Sequence, residues 1–133
     1  MFGLRRKEQP WEVVDCKAVE PVSTYYDDDE LDVLSVSEAD TRGTYVFDVR
    51  SHNGDHCHQL RRAVTFAQQQ LLREVEKKGF NILLIEGWRL TLLRRGKHMR
   101  LEVQYSGRAA KTVGQSYKHC RPPPFMGVLH SSH

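Results

Sequence analysis

Apolar residues return every three or four positions from Leu60 through Val64, Ala67 and Leu71 to Val75, and after Gly79 they return about every second position. The first spacing puts one stripe on a helix, and the second puts one face on a strand. Ala63, Phe66 and Leu72 widen the stripe. Glutamines 68 to 70, Arg73, Glu74, Glu76, Lys77 and Lys78 fill mostly the remaining positions. Asp55 is the expected N-cap, and Gly79 the expected stop after a basic last turn. The pattern predicts an amphipathic helix of about six turns that buries one side.

Strands flank this helix. LDVLSV (31–36) and TYVFDVR (44–50) are β-rich runs separated by EADTRG, whose turn residues end at Gly43, so they read as an antiparallel hairpin. After the helix, FNILLIE (80–86) suits a strand covered on both faces, and Gly87 marks a bulge, a bend or a turn that splits off a further strand. WRLTLLRR and HMRLEVQY pair across Gly96-Lys97, a glycine-first turn of the II′ kind. That pairing puts Trp88, Leu90 and Leu92 on one face with Met99, Leu101, Val103 and Tyr105. Arg89, Thr91, Arg100, Glu102 and Gln104 fall on the other. The expected fold class is α+β: a small antiparallel sheet in the order β-β-α-β-β, or with one extra strand, and one long amphipathic helix across one face.

A chain of 133 residues, 39% hydrophobic, suffices for one modest core but not for a large substrate cavity as well. The expected division is a flexible acidic segment over 1–30 that includes a short strand candidate, a single domain over 31–113, and an extended proline-containing tail over 114–133. MFGLRRKEQP lacks the apolar run of a signal peptide, and no stretch is long enough to span a bilayer. Three widely spaced cysteines, at 16, 57 and 120, fit reduced thiols. An intracellular protein, cytoplasmic or nuclear, is therefore expected.

The net charge of +3 conceals a polarity: residues 1–50 carry −6, residues 51–86 carry +1, and residues 87–133 carry +8. The basic end can steer an anionic partner, or the two ends can attract each other within the fold. Tyr25 to Glu30 form the acidic pole, readable as a modifiable motif, a clamp on the basic end or a solvated linker. RPPPF reads as a proline-recognition ligand or a spacer.

The stretch HNGDHCH (52–58) concentrates ligand-type side chains. His56, Cys57 and His58 supply atoms that zinc prefers, with His119 and Cys120 able to join if the tail folds back. Successive residues on a helix diverge by about 100°, so the three cannot share one ion. Cys57, near the start of the helix, is the candidate nucleophile, because free N–H groups and His56, His58, Arg61 and Arg62 favour a thiolate. It lacks an orienting partner and an oxyanion arrangement, so no catalytic site is assigned. No cofactor is expected.

The basic hairpin is the better candidate. Arg94, Arg95, Lys97 and His98 crowd its turn, Arg89 and Arg100 extend the patch along the sheet, and Arg108 follows. The reading that results is a non-enzymatic protein-interaction module using its sheet face or edge and this hairpin. The alternatives are nucleic-acid or other polyanion binding through the same residues, and a Cys/His enzyme or metal protein centred on Cys57. An exposed strand edge leaves room for a homodimer.

Overall fold

The apolar stripe forms helix α1 over His56–Glu76, in a computed structural model that describes residues 10–25, 32–49, 56–113 and 121–130. Leu60, Ala63, Val64, Ala67, Leu71, Leu72 and Val75 are all buried along it. Phe66, at the margin of the stripe, meets Phe47 edge to face with ring centres 5.5 Å apart. Gly79 ends the helix at φ 96°. The amide of Phe80 donates to the Val75 carbonyl and that of Gly79 to the Glu76 carbonyl, at 3.1 and 3.0 Å. Those two bonds satisfy the last carbonyls in a Schellman arrangement. Among the described residues, no helix is long and apolar enough to cross a membrane.

Five strands build one antiparallel sheet: β1 (Glu12–Ser23), β2 (Val33–Val36), β3 (Thr41–Val49), β4 (Ile82–Arg95) and β5 (His98–Thr112). The fold is α+β, with the helix packed against one face of the sheet. β4 and β5 pair across Gly96-Lys97, and Gly96 takes φ 63°, as a glycine-first turn requires. The register sets Trp88 opposite Tyr105, Leu90 opposite Val103 and Leu92 opposite Leu101. These pairs meet the helix, as the alternation of both strands predicts. β4 continues unbroken through Gly87, so the split expected there does not occur. The extra strand is instead β1, which lies on the outer edge of β4.

The expected hairpin between LDVLSV and TYVFDVR is corrected. β2 and β3 do not pair with each other; they follow one another along the same edge of β5. Val36 stands opposite Ala110, and β3 runs in register from Thr41–Gly107 to Val49–Met99. Arg42 and Gly43, read as turn residues, belong to β3. The physical reason lies in β5, whose 15 residues offer an edge long enough for both strands. Pairing there also carries Tyr45, Phe47 and Val49 onto the core under the helix. Since β3 and β4 both run antiparallel to β5, they run parallel to each other, and α1 is the crossover between them.

The C-terminal segment closes the core on the helix side. Prolines 122 to 124 lead into a short 3-10 turn over Met126–His130, and Leu129 is fully buried. The Trp88 indole Nε1–H donates to the Pro124 carbonyl at 3.0 Å.

Candidate functional site

Strand alternation sends every second residue of the sheet away from α1. The face turned away from α1 therefore carries Arg42, Thr44, Val46 and Asp48 from β3, Arg100, Glu102, Gln104, Ser106 and Arg108 from β5, Arg89, Thr91, Leu93 and Arg95 from β4, and Cys16 and Ala18 from β1. The sequence alternation places Arg89, Arg100 and Gln104 on one face, and so does the structure. Arg42 is the addition, and its side chain is exposed.

Most of the predicted cations already have partners within the fold. Arg94 pairs with Glu12 at 3.8 Å, and the Arg108 Nε donates to Asp40 at 3.0 Å. Arg95 and Arg100 both lie over the Trp11 ring, with guanidinium carbons 4.7 and 4.2 Å from its centre. Such contacts hold the ring against the sheet and anchor the approach to β1. Lys97 and His98 project from the turn, exposed. Arg89 is exposed and takes part in no ion pair or side-chain hydrogen bond among the described residues, and the same is true of Arg42.

These two arginines line one concave site. A shallow pocket of about 230 Å³ is bounded by Arg42 and Thr44 on β3, Gln104 and Ser106 on β5, Arg89 on β4, and Glu20 and Pro21 on β1. Its wall is a β-bulge: β1 pairs Val19 with Trp88 and Val22 with Glu86, leaving Glu20 and Pro21 opposite Gly87 alone. A Cβ on Gly87 would stand 2.8 Å from both the Val19 carbonyl oxygen and the Pro21 nitrogen. Only glycine lets the main chain of β1 approach this closely. Gly87→Ala is therefore expected to cost about 1–3 kcal/mol, the range for overpacking against backbone that must shift. A denaturant titration checks it, and an unchanged midpoint would show that β1 does not lap over Gly87.

On the opposite side of the sheet lies a buried polar cluster that sequence reasoning missed. Glu86 and Gln68 are each 3% exposed. The Glu86 Oε1 accepts from the Tyr105 hydroxyl at 2.6 Å and from the Gln68 Nε2 at 2.8 Å, and that Nε2 also donates to the Arg121 carbonyl at 2.8 Å. Burial pushes the Glu86 carboxyl above its ordinary range, against hydrogen bonds from Tyr105, Gln68 and Thr24 that pull the other way. Gln68 falls on the apolar side of α1, between Val64 and Leu71, and that position was its only signal.

The Cys57 reading does not gain a site here. His52, Asn53, Gly54, Asp55, His119 and Cys120 lie outside the described residues, as do the side chains of His56 and Cys57 and the acidic run Asp27 to Glu30. His58 is exposed on the first turn of α1. Among the described residues, no group of three His, Cys, Asp or Glu side chains is placed to hold a metal. The fold and face thus define a class, an α+β domain with its helix on one face of the sheet and a bulge-walled arginine pocket on the other. Comparison with protein-family models, curated proteins and solved structures finds no match for this chain.

Proposed function

We propose that this chain is a protein-interaction module whose partner docks on the sheet face turned away from α1 and its β2 edge. The observation that carries the reading is the composition of that surface. Arg42 and Arg89 offer charge without an ion-pair partner among the described residues. Beside them, Val46 is 53% exposed, and the adjoining edge strand exposes Val33, Leu34 and Val36 in succession. Val36 and Arg42 pair with Ala110 and Ser106, about 13 Å apart along β5. β2 is irregular between Val33 and Ser35, but within its four residues it carries neither the charges nor the proline that β1 uses to discourage strand addition. A partner presenting an anionic group beside apolar side chains is complementary to this surface.

Polyanion binding is the second reading, favoured by the exposed Lys97 and His98 at the hairpin tip. Glu102 and Asp48 interrupt the cations on the same face, and Arg94 and Arg108 are paired with acids. A continuous phosphate track is thereby broken, and this favours a protein partner over nucleic acid.

A photo-crosslinking residue at Leu34 or Val46 is expected to capture one common protein partner, and the same residue at Arg73, on the solvent side of α1, is expected to capture none of it. Arg42→Glu with Arg89→Glu should abolish that capture. Equal recovery from all three positions, or no specific product from any, would reject the docking reading. Capture of nucleic acid alone, weakening steeply with salt, would replace it with the second.

A further inference from the structure

We propose that the pocket between β1 and β3 is a phosphomonoester site, and that its natural occupant is a phosphorylated side chain of the docked partner; the source of the phosphoryl group rests on the docking reading above. Arg42 and Arg89 stand on strands two apart, separated by β5 and staggered by two residues along it, so their backbones are about 12 Å from each other. Two arginine side chains reaching inward from that separation can meet over Gln104 and Ser106. Both arginines line the pocket, and neither has an ion-pair partner among the described residues. Elsewhere on this face the arginines are held by Asp40 or by Trp11. The two arginines without an ion pair among the described residues thus line the same pocket.

The charge and donor inventory selects the class of ligand. A carboxylate is matched by one guanidinium fork, whereas a phosphomonoester carries close to two negative charges and three acceptor oxygens. Two guanidiniums balance that charge. Thr44, opposite Gln104, and the Gln104 amide add neutral donors on exposed side chains. The Ser106 hydroxyl donates to the Gly87 carbonyl over a long 3.4 Å and is already directed at the bulge. Glu20 is the one acidic lining residue. Its charge opposes any anion, so both arginines are needed to outweigh it. At about 230 Å³ the pocket is smaller than a typical small-molecule site, so it admits a phosphoryl group with its nearest atoms and leaves the rest of the ligand on the open face.

The test uses the full chain at constant ionic strength, with isotope-edited NMR as the readout. The probes are inorganic phosphate, O-phosphoserine, a short phosphoserine peptide and the same peptide with serine. Saturable shifts are expected at Arg42, Thr44, Arg89 and Gln104 with the three phosphate-bearing probes and not with the serine peptide. Affinity should fall about tenfold or more in Arg42→Gln and in Arg89→Gln, and remain unchanged in Arg73→Gln. It should also weaken as pH falls through about 6, where the monoester loses its second charge while the arginines keep theirs. Tighter binding of the peptide than of O-phosphoserine supports a partner side chain as the source. Equal affinities support the site while removing the link to the docked partner. Shifts spread equally over Lys97 and the hairpin tip, no saturation, or equal affinity for the serine peptide would overturn the proposal. A phosphate response with no crosslinked partner would reject the docking reading and leave the site standing.

Discussion

Glu86→Ala is expected to lower stability by about 3 kcal/mol at pH 5, measured by urea unfolding. The substitution removes the acceptor shared by the Tyr105 hydroxyl and the Gln68 amide, both in a site that water does not reach. A buried donor left unpaired costs about 1–3 kcal/mol, and the emptied volume adds to that. Glu86→Gln keeps the acceptor and removes the titration. Burial raises the folded-state pKa above the ordinary 4.5. The contribution of Glu86 is therefore fully present below about 4.5 and is lost as pH rises through the raised value. The glutamine variant should match the native protein at pH 4 and be more stable than it at pH 8. A glutamine variant less stable at pH 8 would mean that the native site holds a stabilised carboxylate, which reverses the sign argued here.

Removal of residues 121–133 is expected to cost about 4 kcal/mol or more, a large share of the 5–15 kcal/mol that holds a domain of this size together. The truncation uncovers the site of Leu129, which is 0% exposed, and a buried leucine contributes about 1.5–3 kcal/mol. It also takes away the carbonyls of Pro124 and Arg121, which accept from Trp88 and Gln68. Phe125 sits at φ 53°, a strained position for a side-chain-bearing residue, and the docking of its neighbours holds it there. Leu129→Ala isolates the packing contribution, at about 2–4 kcal/mol. If the truncated chain unfolds at the native denaturant midpoint, the segment does not dock, and the tail is the spacer that its three prolines suggest.

Both predictions fall on features that the sequence analysis read in a different way, and the reason is the same in each. Gln68 was grouped with the glutamines that face away from the stripe, although its position lies inside it. Its burial depends on Glu86, eighteen residues further on, arriving beneath it with a hydrogen-bond acceptor. The tail was read from its prolines, which govern backbone conformation locally and say nothing of where Leu129 lands. The candidate site shows the same division. Arg89, Arg100 and Gln104 were assigned to one face correctly, because alternation along a strand is a local property. Arg42 was lost with the turn assigned to EADTRG. Arg94, Arg95, Arg100 and Arg108 read as available in the sequence, although each meets an acid or an aromatic ring from a distant part of the chain.

By itself, the sequence determined the elements whose periodicity is carried by neighbouring residues: α1 with its glycine stop, the β4–β5 hairpin with its glycine-first turn, and the shared face of Trp88, Leu90 and Leu92 with Leu101, Val103 and Tyr105. Steric preference and side-chain alternation act over a few residues, so the chain states them directly. The tertiary structure alone decided that β2 and β3 share one edge of β5, that β1 laps over Gly87, and that Arg42 and Arg89 border one pocket. Each of these depends on which strand edges meet, a choice made by burial of the whole sheet against α1 rather than by any stretch of chain.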